Sequence, residues 1–241
     1  MNASPIHPGF TMRLVSALAL AATLASSALA QTQYADSSGG YVALNGIAFN
    51  SDIVLGLDAT AGYRFSTGAD VGFRLGREKY GTSEAFITGP TAGFARPIGS
   101  GWTGRVEGSV QYTTSNGSFV TYPEEAPEGV PSSYRFRDVR EDITVTVSRP
   151  LRLAGSFRLR PTIGLFAAGR QGLTASYTGA GFAGRSDSYA TGVHLEIPLT
   201  FRVFGQDAAW VTTGRFALTG RDNRGGLSDR SYAGGGLRLN F

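Results

Sequence analysis

The feature that most constrains the fold is a strict alternation of apolar and polar residues in one segment, which reads WTGRVEGSVQYTT from Trp102. One alternate set is apolar and begins and ends with an aromatic residue, Trp102 and Tyr112. The other set carries Arg105 and Glu107. A period of two predicts a β-strand with unlike faces. A strand of about 9–11 residues whose uncharged face is bracketed by aromatic side chains is the unit of a membrane-spanning β-barrel.

The same alternation recurs along the chain and predicts ten strands. The facing of the first is ambiguous because both of its alternate sets are mostly apolar, and Pro90 weakens the fourth because proline cannot donate to a ladder. The predicted strands cover residues 40–49, 53–65, 70–76, 85–96, 102–114, 139–148, 157–167, 189–203, 210–219 and 237–241. We therefore predict an all-β fold, an antiparallel up-and-down transmembrane β-barrel of ten strands, with eight strands as the alternative.

The lengths of the connections agree with this fold. Connections after strands 2, 4, 6 and 8 are short, whereas those after 5, 7 and 9 are long and polar. Bacterial barrels have short periplasmic turns and long external loops. The connection after strand 1 is the misfit, because it should be external and yet is short. A lipocalin-like soluble barrel or a β-sandwich would also alternate, but neither requires terminal aromatics.

Residues 1–30 have the features of a cleaved signal peptide. Arg13 precedes an apolar run that is too short to span a bilayer as a helix, and residues 28–30, Ala-Leu-Ala, form a small-x-small cleavage site. The predicted mature barrel is residues 31–241.

Composition excludes several classes of function. The chain has no cysteine, which rules out disulfides and thiolate metal sites. Its net charge of +4 is compatible with nucleic-acid binding. However, the arginines fall one or two per strand, without a basic helix. We predict no nucleic-acid partner, no cofactor and no metal site.

The last residues carry a family resemblance. Leu237, Leu239 and Phe241, in the terminal LRLNF, resemble the C-terminal insertion signal of Gram-negative outer-membrane proteins. Residues 31–241 resemble the small outer-membrane β-barrel superfamily that includes opacity-type adhesins and the outer-membrane protein A transmembrane domain. The resemblance implies a bacterial outer-membrane location, contact with outer-membrane lipid and lipopolysaccharide, and recognition of Phe241 by the barrel-assembly machinery. Most members have eight strands, so ten is a departure.

The polar face of the predicted strands should line a narrow lumen, filled by an ion-pair network because unpaired buried charge is costly. A second interpretation is a small-solute pore preferring anions, since arginines outnumber acids. The predicted lumen-lining residues are Asp58, Arg64, Asp70, Arg74, Arg105, Glu107, Arg140, Asp142, Arg158, Arg160, His194, Glu196, Arg202, Arg215 and Arg238.

The apolar face should end in aromatic girdles at the two membrane interfaces. The predicted periplasmic girdle is Phe65, Trp102, Phe157, Phe201, Trp210 and Phe241, and the predicted outer girdle contains Tyr112 and Tyr189.

His194 and Glu196 share the predicted inner face, and a His–Glu pair can orient a general base. No nucleophile accompanies them in the sequence, so we predict a lumen role and no catalytic residue. An outer-membrane lipid-modifying enzyme is the distant alternative.

Two polar connections, residues 115–135 and 170–187, are predicted as long external loops that contact an extracellular ligand, because recognition concentrates on loops carried by rigid scaffolds. The sequence thus favours a non-enzymatic protein with a structural or surface-interaction role, as an adhesin or in envelope integrity. The alternative is a narrow anion-preferring porin.

Overall fold

A computed structural model describes most of the predicted barrel. The described residues are 38–49, 54–80, 83–121, 128–153, 157–178, 188–221 and 231–241. The predicted signal peptide, residues 1–30, lies outside them. Within these ranges, no helix is long and apolar enough to cross a membrane.

The described residues form one antiparallel sheet of twelve strands. The strands are β1 (Gly39–Phe49), β2 (Val54–Arg64), β3 (Ala69–Tyr80), β4 (Ser83–Gly99), β5 (Trp102–Thr121), β6 (Val130–Ser148), β7 (Leu151–Arg152), β8 (Arg158–Leu159), β9 (Thr162–Thr178), β10 (Ser188–Val203), β11 (Gln206–Arg221) and β12 (Tyr232–Asn240).

Ten of these strands close into a ring, and β7 and β8 lie outside it. Each ring strand pairs with its sequence neighbour in the ring, and β12 returns to pair with β1. The seam is regular from Tyr41 opposite Asn240 to Phe49 opposite Tyr232. The predicted ten-stranded antiparallel barrel is confirmed.

The two ends of the ring differ. The end that contains Gly39 and Phe241 also has the tight turns, and we call it the terminal end; the opposite one is the loop end. Two turns at the terminal end, Ser100–Gly101 and Phe204–Gly205, have positive φ at both central residues. This is the two-residue hairpin geometry that matches strand twist. The β10–β11 turn is therefore Phe204–Gly205, whereas the sequence predicted residues 205–207.

Several strands extend further toward the loop end than the sequence predicted, and three of them do so by seven residues or more. β5 continues to Thr121, β6 begins at Val130 and β9 continues to Thr178. The predictions of loops at 115–135 and 170–187 were therefore wrong over most of their length in the described residues. The alternation of apolar and polar residues stops there because both faces of the extended strands carry polar residues, so the sequence looks like a loop.

The predicted strand 157–167 is broken in two. β8 ends at Leu159 and β9 begins at Thr162, with Pro161 between them. Proline has no N–H to continue the ladder. The chain before the break forms the short β7–β8 hairpin outside the ring.

Pro90 disturbs the sheet without ending the strand. Thr88 pairs with Tyr112 and Thr91 with Ser109 on β5, but the two residues between them have no β5 partner in this ladder. Pro90 still lies opposite Phe73 on β3. β4 continues through Pro90 because its pairing with β3 is uninterrupted there.

The two faces of the wall have opposite chemistry. The outward face is apolar and exposed, with Leu165 at 65% exposure. The inward face is polar and largely buried, with Asp70 at 3%. On β1, whose facing the sequence left open, Tyr41 is buried and Leu44 is exposed. Contiguous apolar area far above a few hundred Å² is not left in contact with water by monomeric soluble proteins. This surface fits a hydrocarbon surrounding.

Leu165 lies in the middle of the apolar face, level with Val145 and Val193 on the neighbouring strands. We predict that Leu165→Arg lowers the free energy of unfolding in lipid vesicles by about 2–4 kcal/mol, the cost of arginine near a bilayer midplane. Urea titration of the refolded protein measures it, with Leu165→Ala as the size control. If water bathed this face, arginine would be neutral or stabilising, and that result would contradict the outward assignment.

Candidate functional site

The inward-facing charges form layers of ion pairs, and the first layer lies near the terminal end. Asp70 accepts two hydrogen bonds from Arg105, with Nη1–Oδ2 2.6 Å and Nη2–Oδ1 3.0 Å. The Arg105 guanidinium also donates to Glu107 at 2.8 Å, and Arg64 Nε lies 3.9 Å from Asp70. A bidentate arginine–carboxylate pair gives both geometric specificity and strength.

A glycine makes this layer possible. Arg105 is on β5 and Asp70 on β3, so the pair crosses over β4, where Gly93 lies opposite Asp70. A Cβ at Gly93 would lie 2.6 Å from Arg105 Nη2 and 3.0 Å from Asp70 Oδ1. Any side chain there would displace the pair.

Glycines also make room for a side chain near the seam, where β12 pairs with β1. The Tyr41 ring lies over two glycines: a Cβ at Gly62 would be 2.6 Å from the Tyr41 hydroxyl, and one at Gly72 would be 2.8 Å from it. The Arg238 guanidinium lies 4.2 Å from the centre of the Tyr41 ring, a favourable cation–π distance. Tyr41, which the sequence did not single out, thus links β12 to the interior of β2 and β3.

Arg215 is the centre of the middle layer. Both of its terminal nitrogens bond Asp142, with Nη2–Oδ1 at 2.9 Å, and Nη2 also donates to Thr144 Oγ1 at 2.6 Å. Its guanidinium lies 4.9 Å from the Phe166 ring centre and 5.7 Å from that of Tyr232. Arg215 is on β11 and Asp142 on β6, and β9 and β10 separate them in the ring. The pair therefore bridges the lumen.

A second pair completes the middle layer. Arg74 on β3 bonds Asp58 on β2 at 2.5 Å, and Asn45 on β1 donates to the same carboxylate at 2.8 Å. Three adjacent strands are thereby tied to one acid.

His194 is part of this layer and is only 6% exposed. Its Nδ1 accepts a hydrogen bond from Arg215 Nε at 3.2 Å, and its Nε2 lies 3.4 Å from Glu196 Oε1. Both ring nitrogens are thus occupied by charged neighbours.

The upper layer, nearer the loop end, contains residues that the sequence analysis missed. Glu78 accepts from Arg140 Nη1 at 3.0 and 2.9 Å, and β4 and β5 separate their strands. Asp138 accepts from Arg170 Nε at 2.7 Å. A sequence signal existed for Glu78, because Asp70, Arg74 and Glu78 recur at even spacing on one strand. Arg170 fell in a segment predicted to be a loop.

Three predicted lumen residues lie elsewhere. Arg158 is exposed on β8, outside the ring, and Arg160 follows it before the Pro161 break. The Arg202 side chain is 72% exposed and pairs with Asp207 across the β10–β11 turn, at 3.2 Å. For Arg158 and Arg160 the cause is that alternation continues past the ring strand β9, and only pairing shows where the wall ends. Arg202 is on the ring strand β10, but next to the turn, where its side chain reaches the exterior. The predicted residues on the inner face are Asp58, Arg64, Asp70, Arg74, Arg105, Glu107, Arg140, Asp142, His194, Glu196, Arg215 and Arg238.

The predicted girdle residues lie outside the lumen. Tyr112 and Tyr189 are exposed on the part of the wall nearer the loop end. At the terminal end, Phe65, Trp102, Trp210 and Phe241 are exposed, and the Phe157 ring is 6.4 Å from that of Phe201.

No group of three or more histidines or acids in the described ranges could hold a metal ion.

Comparison with known proteins identifies the fold but no matching family. The sequence matches no protein-family model and no curated protein. Among solved structures, it is similar to the translocator domain of the autotransporter NalP from Neisseria meningitidis, at TM-score 0.54 and 12% identity, covering 96% of this chain and 97% of that one. This chain has the outer-membrane β-barrel fold.

Two weaker likenesses are to other bacterial outer-membrane β-barrels. The β domain of the Bordetella autotransporter BrkA matches at TM-score 0.47 and 10% identity, over 86% of this chain and 100% of that one. The N-terminal barrel of Pseudomonas aeruginosa OprF matches at 0.31 and 11%, over 85% and 100%. At these scores neither adds to the argument. For an outer-membrane β-barrel fold, the described geometry has a direct meaning: the apolar face is the lipid side, and the membrane-spanning part of the wall favours charge on the lumen side.

We predict that Asp142→Asn lowers the free energy of unfolding in vesicles by about 2–3 kcal/mol, because it leaves the Arg215 charge in the lumen without its partner. The double variant Asp142→Leu with Arg215→Met should recover to within about 1 kcal/mol of wild type, because it removes both charges. Arg77→Gln, at an ion pair with a side chain 57% exposed, is the control and should change stability by less than about 0.5 kcal/mol. A loss in the double variant equal to the sum of the losses in the single variants Asp142→Leu and Arg215→Met would show that the pair is not coupled.

Proposed function

We propose that this protein spans the bacterial outer membrane as a closed, non-conducting barrel and serves a structural and surface-interaction role through its loop end. The observation that carries the proposal is the pair of ion bridges across the lumen, Arg215–Asp142 and Arg140–Glu78. Pairs confined to neighbouring strands would lie along the wall and leave the centre open. Bridges between strands three positions apart in a ring of ten span part of the lumen instead of following the wall.

The size of the ring favours closure. Eight strands leave an interior just wide enough to be filled with side chains, and ten strands are only slightly wider. Here the interior contains guanidinium groups, their carboxylates, and the rings of Tyr41, Phe166 and Tyr232. We infer that these side chains leave little room for a solute.

The excess of arginines over acidic residues, which suggested an anion-preferring pore, lies in one short segment of the chain. Residues 149–160, at the terminal end, carry four arginines and no acid. The chain has 22 basic and 18 acidic residues in total, so the remainder has 22 − 4 = 18 basic residues against 18 acidic ones. The balanced remainder supports an ion-paired lumen and gives little basis for anion selectivity.

The loop end supplies an exposed surface on a rigid frame. β5, β6 and β9 continue past the level of Tyr112, and beyond Asn116, where the pairing with β4 ends, they form a three-stranded sheet. On its outer face Arg135 and Arg137 are exposed, and Asn116 holds Arg135 through a 3.0 Å hydrogen bond to Nε. The Tyr134 and Phe136 rings pack 4.8 Å apart. A preordered surface of this kind lowers the entropic cost of binding a partner.

We assign no catalytic role to this protein. His194 has both ring nitrogens directed at charged neighbours within the network. A general base must have a reacting group within hydrogen-bond reach. The contacts of His194 favour a structural role.

The closed lumen is tested by single-channel recording in planar bilayers. Wild-type protein should show no stepwise currents. A variant with alanine at all four bridge positions, Glu78, Arg140, Asp142 and Arg215, should show steps, because it removes the side chains that cross the lumen. Stepwise, anion-preferring currents from wild-type protein would contradict the proposal and favour the porin alternative.

The surface role is tested by shortening the β5–β6 extension. Residues 117–134 are replaced by Asn-Gly, which forms a two-residue hairpin turn, because Asn116 and Arg135 are already opposite each other. Bacteria that display this variant should adhere to matrix-coated surfaces at the level of cells without the protein. Heat-dependent gel migration checks that the barrel is folded. Unchanged adhesion by the shortened, folded barrel would contradict a role for this sheet.

A further inference from the structure

The β7–β8 hairpin concentrates the positive charge of the molecule. Residues 149–160 read RPLRLAGSFRLR, with four arginines and no acid. Since the rest of the chain is balanced, this twelve-residue segment accounts for the whole net charge of +4. β7 and β8, which carry Arg152 and Arg158, lie outside the ring, so neither wall nor lumen requires these two charges.

The hairpin has two chemically distinct faces. Leu151 is paired with Leu159, and Arg152 with Arg158. β8 in turn pairs with β10, where Leu159 is opposite Leu199. The leucines therefore share the side of the sheet that is apolar in the ring, and the arginines share the opposite side. The apolar side is open: Leu151 is 45% exposed, and Leu153, which follows β7, is 47% exposed.

The basic face is electrostatically incomplete. Like charges directly opposite each other on paired strands destabilise the pairing. Within the described ranges, neither Arg152 nor Arg158 makes an ion pair or side-chain hydrogen bond with the protein. An anion between the two guanidinium groups would turn this repulsion into two charge-assisted contacts. Guanidinium matches the oxygens of phosphate in this way.

The hairpin lies at the edge of the apolar band. The Phe157 ring, just before β8, is 6.4 Å from that of Phe201. Arg149, just before β7, has its guanidinium carbon 6.0 Å from the centre of the Trp102 ring. Both partners belong to the aromatic rim at the terminal end. In a membrane, this is the depth at which lipid phosphates begin.

We propose that the β7–β8 hairpin binds anionic phospholipid headgroups of the leaflet at the terminal end, with Arg152 and Arg158 sharing a phosphate and Leu151 and Leu153 entering the acyl region. The proposal rests on the outer-membrane location of the proposed function. A lipid is favoured over a soluble anion or an anionic polymer because only a lipid also covers the exposed leucines. An amphipathic segment with arginines on one face is suited to such an interface.

The test uses the complete mature chain, refolded in non-ionic detergent micelles and titrated with phosphatidylglycerol or phosphatidylcholine, with bound lipid counted by native mass spectrometry. Wild-type protein should retain phosphatidylglycerol preferentially. The double variant Arg152→Gln/Arg158→Gln should bind it roughly tenfold more weakly, since each basic residue near a membrane surface contributes appreciably to anionic-lipid binding. Leu151→Ser/Leu153→Ser should also weaken binding, because it removes the acyl contact.

The matched control is Arg77→Gln/Arg135→Gln, which removes the same charge at the loop end and should leave phosphatidylglycerol binding unchanged. Heat-dependent gel migration confirms that every variant is folded. Equal binding by the two arginine double variants would overturn the proposal. Full displacement of phosphatidylglycerol by an equal concentration of inorganic phosphate would also overturn it, because the site would then recognise a free anion.

A third arm measures co-sedimentation with peptidoglycan. Loss of co-sedimentation in Arg152→Gln/Arg158→Gln, with lipid binding intact, would overturn the lipid assignment in favour of an anionic polymer. If the closed-lumen proposal fails, wild-type protein gives channel currents. That result is distinguishable from a failure of the lipid-binding proposal, which appears in the lipid titration. Such currents, together with lipid binding that depends on Arg152 and Arg158, would refute closure and leave the hairpin assignment standing.

Discussion

Most of the charge on the described strands lies where it has a partner and is kept from the apolar surroundings, and the rest of the structure depends on that constraint. A wall one strand thick has two faces. When one is apolar and exposed, ionised groups are favoured on the other or beyond the wall. Glu141 is an exception: it lies opposite Val110 on the outward side, is only 7% exposed, and its Oε2 has no hydrogen-bond partner. Inside a ring of ten strands the lumen is narrow, so a guanidinium on one strand can reach a carboxylate three strands away. Arg215 with Asp142, and Arg140 with Glu78, use that reach.

Glycine provides the room for these contacts. Gly93 lets Arg105 cross β4 to Asp70, and Gly62 and Gly72 accept the Tyr41 ring beside the closing seam. At each of these glycines, a side chain from another strand occupies the space that a Cβ would fill. Glycine weakens a strand interior by its entropy and missing side chain, but here its absence of a Cβ allows side chains on distant strands to meet. The network and the closure of the ring are therefore interdependent.

The two ends of the barrel differ in how polar and apolar residues are distributed, because the two ends face different surroundings. At the loop end, β5, β6 and β9 continue with polar residues on both faces, as expected of strands in water. At the terminal end, the hairpin outside the ring keeps leucines on one side and arginines on the other. That division matches a boundary between hydrocarbon and anionic headgroups.

The sequence by itself determined the number of strands and, for most of them, which side chains share a face, because alternation is a local property of an extended chain. Trp102 and Arg105 must point to opposite sides whatever the rest of the chain does. Only the tertiary structure decided which charges meet, since Arg105 and Asp70 are 35 residues apart, Arg140 and Glu78 are 62, and Arg215 and Asp142 are 73. It also decided where the wall ends. Arg158 and Arg160 continue the alternating pattern, yet lie outside the ring because the pairing with β6, which no local pattern records, ends at Thr162.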